Sequence, residues 1–558
     1  MQYRHRLIIF FLFIFSALAL GLNARQPLTA VSDTDFPVAI AAPISPNALI
    51  SFDANATPKE IDTRVLGTNL PNWIGEDWSG NDWTENETAI ARTQAASPTI
   101  IRIPGGSKSN TYDWLACENE EPKPACGVWK LRPTEFADFI QTVNAEIMYT
   151  VNQNGTSQEA AALVAFFNGS VSDDTAIGVD VHGKNWYTVA HWAELRTAHG
   201  NPNPINVKYW EIGNEIWGGK KNMGTDCTFE WGWEEVWTCD GMEYVDGIGG
   251  TTEGYIDFRD AMLAVDSTIM VGAVGVSPQE SWNNWGNEVL DYAGDVMDFY
   301  VIHKYAYHLP PSSREEALAQ PQAIWEPMMD EYETRYEHFW PGESPPPVAV
   351  TEYNLFSVQD EDDGRWMTQA VNMLYMADSV GQMMDHGFAM ANQWNLSNGQ
   401  AGNGTDYGML GRYDFARSPQ YYVFPLWSRF GDNMLPVTST YDPATTLSVY
   451  AGRIDPSTVS LLVINKTGGG ISAPIHIDNM PPMTLGGEVD VAQSSSLSSS
   501  TATFNGTSNP PDDLPTKQLA VFVNGSPYYF PPYSITLLRL GFDEFIPTDF
   551  FYFPIVSR

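Results

Sequence analysis

Residues 208–219 read KYWEIGNEIWGG. The first five have the aromatic and branched content of a buried strand. The run then ends on Asn214-Glu215, with Glu211 four residues before Glu215. It is one of a series. RVLGTNL (64–70), TIIRIPGG (99–106), EIMYTVNQ (146–153), VKYWEIGN (207–214), TIMVGAVG (268–275), DFYVIHKY (298–305), PVAVTEYN (347–354) and GFAMANQW (387–394) all read as short buried strands. Between them lie helical patterns such as PTEFADFIQTV (133–143), WYTVAHWAELRTAHG (186–200) and RWMTQAVNMLYMADSVGQMM (365–384). In the last, Met367, Ala370, Val371, Met373, Leu374, Met376 and Ala377 follow helical spacing. Eight alternations of strand and helix predict an α/β fold, a (β/α)8 TIM barrel. A doubly wound open sheet is the alternative, but no Gly-rich phosphate loop follows the first strand.

In such a barrel, reactive groups stand at the C-terminal ends of the strands. Here those ends are polar. The second carries Arg102 before Pro104-Gly105-Gly106-Ser107, the third Asn152 and Gln153, and the fourth Asn214 and Glu215. The sixth carries His303 and Tyr305, the seventh Thr351-Glu352-Tyr353-Asn354, and the eighth Gln393-Trp394-Asn395. Glu215 and Glu352 are therefore expected to face each other across one barrel mouth. Two opposed carboxyls suit acetal cleavage, one protonating the leaving oxygen and the other attacking the anomeric carbon. Glu211 reads as a buried brace needing a partner such as Lys208 or an Arg. Lys304 alternates with His303 and Tyr305 along the strand and is expected to point away from the site.

Beyond the barrel, assigned to 63–431, the helical period disappears. TTLSVYAGRI, STVSLLVINK, APIHIDN, EVDVAQ, LAVFVNG and SITLLRL predict a C-terminal β-sandwich over 432–541. Residues 46–62 contain a strand-like segment expected to pair into that sandwich. Residues 542–558 form an aromatic tail.

The N-terminus reads as a signal peptide over residues 1–24: a basic stretch with Arg4 and Arg6, the apolar run LIIFFLFIFSALAL, and Ala24 before a cleavage point. A leader spans 25–45. The apolar run is short for a membrane anchor, so a secreted chain without membrane insertion after cleavage is expected. The formal net charge of −39 disfavours nucleic acid, anionic membranes and polyuronates as partners. The four cysteines fall as two local pairs, Cys117 with Cys126 and Cys227 with Cys239, and each pair is expected to close a short disulfide loop. Their spacing lacks the pattern of a zinc site. No metal and no cofactor are expected. Aromatic residues cluster after strand one (Trp73, Trp78, Trp83) and in the insert after strand four (Trp217, Phe229, Trp231, Trp233, Trp237, Tyr244). A mixture of packed rings and sugar-stacking rings is expected there.

These residues carry a resemblance. WEIGNE and VTEYN look like the strand-four and strand-seven motifs of glycoside hydrolase clan A. RIPGGS with Tyr112-Asp113-Trp114, and IHKY, resemble motifs of family 51, which includes α-L-arabinofuranosidases and some endoglucanases. The resemblance implies a retaining hydrolase with Glu215 as acid/base and Glu352 as nucleophile. It implies that Asn214 bonds the sugar 2-hydroxyl, and that Arg102 and Tyr305 orient Glu352 and favour its charged form. It implies His303 on the same wall, Trp394 stacked under the sugar and Gln393 bonding a hydroxyl. The arabinofuranosidases have Asn where this chain has Ser107, and a Glu near the end of strand one where it reads Gly67-Thr68-Asn69. Those positions hold arabinose in the family, so the departures bear on the sugar, not on the hydrolytic mechanism. Two function classes follow: a glycosidase acting on neutral plant-type glycan, either arabinofuranosidase-like or endo-β-glycanase, and a non-catalytic carbohydrate-binding protein on the same barrel. Retention of both Glu215 and Glu352 favours the first. The oligomeric state is left open.

Overall fold

The eight runs form eight strands: β1 (Gly67–Asn69), β2 (Ile100–Ile103), β3 (Glu146–Val151), β4 (Tyr209–Ile212), β5 (Met270–Val274), β6 (Phe299–Tyr307), β7 (Val348–Phe356) and β8 (Met390–Gln393). In this computed structural model they pair in sequence order, all parallel, and β8 closes on β1. The structure describes residues 49–76, 80–119, 130–218, 234, 236–238, 240–249, 252–278, 280 and 282–541. The expected signal peptide, leader and tail lie outside these residues, as do Trp78, Phe229, Trp231, Trp233, Cys126, Cys227 and Cys239. No helix among the described residues is long and apolar enough to cross a membrane.

The strands are buried on both faces, as parallel strands covered by helices must be. Among their apolar residues stands a polar layer near the mouth: Thr68, Arg102, Thr150, Glu211, Thr351 and Gln393 are fully or almost fully buried. The helical patterns form Pro133–Thr142, Val189–Ala198 and Ala370–Asp385. The last differs from an ordinary amphipathic helix, because residues on all its sides are buried. One side covers the barrel. Another meets the sandwich, where Gln382 Nε2 donates to Tyr450 Oη at 3.0 Å and Tyr450 Oη donates to Asp378 Oδ1 at 2.6 Å.

The C-terminal strands build two sheets, which confirms the sandwich. One contains Ile50–Asp53 between Val437–Ser439 and Ile471–Asp478, with Pro527–Phe530 outermost. The other runs from Thr503–Phe504 through Met483–Gln493, Ser534–Gly541, Thr458–Asn465, Leu447–Asp455 and Asn433–Leu435 to Lys59–Glu60. The segment before the barrel thus contributes to both sheets. Alternation along Thr458–Asn465 sends Val459, Leu461 and Val463 into the sandwich core. Leu462 and Ile464 from the same strand join the barrel-side core. Lys466, immediately after, donates from Nζ to Asp378 Oδ2 at 2.7 Å, and both side chains are buried.

Candidate active site

Strand β4 ends at Ile212, and a sharp turn then delivers Asn214 and Glu215. Gly213 has φ +91°, and a Cβ there would lie 2.8 Å from Ile216 Cγ2. Glu215 itself is left-handed at φ +43°, a conformation that a non-glycine residue rarely holds unless its surroundings enforce it. Asn110 provides that enforcement. Its Nδ2 donates to the Asn214 carbonyl at 2.8 Å, and the Asn214 N–H donates to its Oδ1 at 3.0 Å.

Arg102 organises the floor. Its guanidinium is fully buried and bonds four side chains: Glu211 through Nε, Glu352 Oε1 at 2.9 Å, Asn69 Oδ1 at 2.9 Å and Asn214 Oδ1 at 2.8 Å. Glu211 also accepts from Thr150 Oγ1 at 2.7 Å, its direct neighbour across β3 and β4. The brace therefore pairs with an arginine, and Lys208 stays exposed. Asn69 spends its side chain on Arg102 and, through Nδ2, on the Thr351 carbonyl at 2.9 Å.

Both carboxylates of the expected pair reach the mouth. Glu352 Oε2 accepts from Tyr305 Oη at 2.8 Å. His303 Nδ1 lies 2.9 Å from Glu215 Oε1 and 3.7 Å from Glu352 Oε2, while its Nε2 is 3.1 Å from Thr351 Oγ1. Burial pulls the His303 imidazolium down, but Glu352 and Glu215 together outweigh it, and its pKa is raised. Ligand atoms of Glu215, His303 and Glu352 all lie within 4.8 Å of one another. That is also the donor set of a small cation site. Here Glu352 already accepts from a guanidinium and a phenol, and Glu215 faces His303 Nδ1.

The groups open onto a cavity of roughly 800 Å³ lined by Ser107, Asn214, Glu215, His303, Tyr305, Glu352, Trp394 and Tyr407, and also by Trp217, Trp282 and Lys304. This is within the range of about 300–1,000 Å³ typical of ligand pockets. Trp394 lies against Gly106, where a Cβ would approach its ring to 2.5 Å, and meets Trp73 edge-on at 6.0 Å. Trp217 and Trp282 pair at 4.3 Å between ring centroids.

Several expectations need correcting or placing. Lys304 borders the cavity and pairs with Glu280 at 3.2 Å. Strand β6 shifts register between Ile302 and His303 and continues past the rim to Tyr307, so strict alternation does not apply there. Asn152 is not brought to this cavity. Its Oδ1 accepts from the Asn154 N–H at 3.1 Å and it borders a separate small void beside Glu159. Gln393 is buried beneath the mouth, bonded to Thr68 Oγ1 at 3.1 Å and the Tyr407 carbonyl at 3.1 Å. Trp83 packs in the core against Phe139, and Tyr244 is buried with its hydroxyl on the Ile212 carbonyl at 3.0 Å. Cys117 is buried and is not a free thiol.

Two residues were not legible in the sequence. Tyr407, from the loop after β8, lines the cavity and donates to the Ser357 carbonyl at 2.9 Å. Glu234, from the insert after β4, is fully buried behind Ser107 and Asn214. Burial, reinforced by Glu215, pushes its carboxyl up to about 8. The only signal for it was a Glu pair inside an aromatic insert, and no periodicity marks which member turns inward.

A parallel barrel with opposed glutamates after β4 and β7, the first preceded by Asn and the second bonded by an arginine from β2, has the architecture of glycoside hydrolase clan A. Within the clan the likeness is to family 51. The model of the alpha-L-arabinofuranosidase 1 domain matches residues 92–305. An intracellular exo-alpha-(1->5)-L-arabinofuranosidase of Halalkalibacterium halodurans is 26% identical over 228 residues, 39% of this chain and 38% of that one. The chain thus spans well under half the length of that curated relative. Among solved structures, a GH51 alpha-L-arabinofuranosidase from Thermotoga petrophila superposes with a TM-score of 0.66 at 17% identity, covering 88% of this chain and all of the other. A family 44 xyloglucanase of Paenibacillus polymyxa gives 0.56 at 15% identity, covering 89% and 99%. At these identities the structural likeness speaks for the fold.

Proposed function

We propose that the chain is a secreted, retaining glycoside hydrolase that cleaves neutral plant-type glycan by double displacement, with an arabinofuranosidic or β-glycan bond as its target. The observation that carries this is the approach of Glu215 and Glu352 to within 4.8 Å. Retaining enzymes hold their carboxyls about 5–5.5 Å apart, whereas inverting enzymes need about 6.5–9.5 Å to admit water. Glu215 donates its proton to the leaving glycosidic oxygen as a Glu352 oxygen attacks the anomeric carbon. The anomeric C–O bond to the leaving group breaks and a glycosyl ester on Glu352 forms. Glu215, now a base, takes a proton from water, the water oxygen attacks the same carbon, and Glu352 leaves as a carboxylate. Arg102 and Tyr305 hold the two oxygens of Glu352 in place throughout. Trp394 supplies a stacking face, and Trp217 with Trp282 a second one toward the leaving group. The acidic chain supports a neutral substrate, and the N-terminal apolar run supports secretion. Disulfides Cys117–Cys126 and Cys227–Cys239 belong to the same reading.

The test is turnover of aryl glycosides and of arabinan, xylan and cellulose-type polymers by the purified chain. Glu352→Ala should be inactive, and azide should restore turnover with a glycosyl azide of inverted configuration. Glu215→Ala should lose most on poor leaving groups. Near-normal activity in either variant would sink the assignment. No turnover of any substrate by the unaltered chain would leave a carbohydrate-binding protein.

A further inference from the structure

Five glutamates stand at or beneath this mouth, and four have basic partners among the described residues, Glu280 having Lys304. Arg102 serves Glu211 and Glu352, and His303 serves Glu215. Glu234 is bonded only by neutral donors among the described residues. Its Oε1 accepts from Ser107 Oγ at 2.6 Å and from Asn214 Nδ2 at 3.3 Å, and its Oε2 accepts from Asn110 Nδ2 at 2.8 Å. It does not line the cavity, yet Ser107 and Asn214 do.

The consequence is geometric. Asn214 is held on three sides: Arg102 takes its Oδ1, Asn110 grips its backbone, and Glu234 takes one of the two hydrogens on Nδ2. One N–H remains for a ligand. Ser107 shares the same Glu234 oxygen, so the two cavity-facing polar groups are fixed relative to each other by a third side chain. The hydroxyl beside the anomeric carbon is the one whose hydrogen bonds strengthen most as the sugar flattens toward the transition state. A wall that addresses it gains from being held in place before the substrate arrives.

We propose that Glu234, supplied by the loop between β4 and β5, is a positioning residue that locks Ser107 and Asn214 into one binding wall for the sugar hydroxyl adjacent to the cleaved bond. The role rests on the hydrolase reading above. Glu234 touches no substrate. It acts through the two side chains it holds.

The experiment compares the unaltered chain, Glu234→Ala and Glu234→Gln on an aryl glycoside that the chain cleaves and on its 2-deoxy analogue. Glu234→Ala should lower kcat/KM on the parent glycoside about 10- to 100-fold, the cost of one or two misaligned bonds that strengthen in the transition state. On the 2-deoxy analogue the same change should cost under about threefold, because the addressed hydroxyl is gone. Glu234→Gln keeps the shape and one acceptor, and should stay within about fivefold of the parent. Equal losses on both substrates, or a Gln variant as poor as Ala, overturn the proposal. If Glu234→Ala does not fold, Ser107→Ala decides. Its loss should fall on the parent glycoside and largely spare the 2-deoxy analogue, and an equal loss on both overturns the proposal. If the unaltered chain turns over no glycoside, the hydrolase reading falls separately. The Glu234 role is then read by calorimetry of an aryl glycoside that the chain binds and of its 2-deoxy analogue, with the same selective loss of parent binding expected and an equal loss overturning it.

Discussion

Replacing Arg102 by Met is the most demanding test of how this site is held together. The guanidinium is fully buried and serves two carboxylates and two amides. Methionine fills much of the same length without charge. Removing one partner of a buried ion pair costs about 3–5 kcal/mol, because the other charge is left uncompensated. Glu211 bears that cost in full, since it is wholly buried and keeps only Thr150 among the described residues. Glu352 and Asn214 border the cavity, where water can take over part of the lost bonding, so their share is about 1–2 kcal/mol. The expected loss is about 4–7 kcal/mol against a typical total stability of about 5–15 kcal/mol. Urea unfolding followed by tryptophan fluorescence at neutral pH measures it directly. The decisive comparison is Arg102→Met with Glu211→Gln, which should recover about 2 kcal/mol or more by removing the stranded charge. A loss under about 1 kcal/mol, or no recovery from Glu211→Gln, would refute the claim that one arginine organises the floor of the barrel.

Gly106→Ala should cost about 1–3 kcal/mol and at least tenfold in turnover, because φ +66° with ψ −178° is open only to glycine and a Cβ would strike Trp394. A crystal structure with Trp394 unmoved would contradict this. Glu234 sets a pH dependence. Its folded carboxyl, driven up to about 8, holds a proton that the unfolded chain releases near pH 4.3. Its contribution is therefore fully present below about pH 4.3 and lost as pH rises toward 8. Thermal melts from pH 5 to 9 should show Glu234→Gln less sensitive than the unaltered chain, and parallel curves would argue otherwise. Trp217→Ala should raise KM on polymers several-fold and leave small aryl glycosides nearly unchanged, since its ring lines the cavity beside Trp282 and touches neither Glu215 nor Glu352 among the contacts of the described residues. Lys466→Met should destabilise the chain by about 3–5 kcal/mol by stranding Asp378, with Asp378→Asn in the same chain restoring part of it. Chemical denaturation of the two variants reads both effects.

The barrel could be seen in the sequence because a parallel strand covered on both sides is written as a short unbroken apolar run, and the chain repeats that pattern eight times. Glu215, Glu352, Arg102, Asn214, His303 and Tyr305 could be placed because each falls at the end of such a run. The same rule put Asn152 and Gln393 forward, yet one turns back to cap its own loop and the other is buried under the rim. Strand position gives height in the barrel but not which neighbour a side chain meets. Glu211 shows the same limit: burial demanded a partner, but only the three-dimensional arrangement could select Arg102 over Lys208. Lys304 escaped because a register shift breaks the two-residue period. Glu234 and Tyr407 lie on loops, where no period exists to predict an inward turn.

The sheet that runs from Thr503–Phe504 to Lys59–Glu60 has an apolar surface on each side, one belonging to the sandwich and one to the barrel. For anyone wishing to recombine this chain with others, that means the gene offers no clean cut. Ending it before residue 432 would bare the outer flank of Ala370–Asp385 and leave Asp378 without Lys466. Starting it after the barrel would remove Ile50–Asp53 from the middle of its sheet. A transplantable unit must therefore carry both Ile50–Asp53 and Ser534–Gly541, and grafts meant to alter what the cavity binds belong in the loops around the mouth.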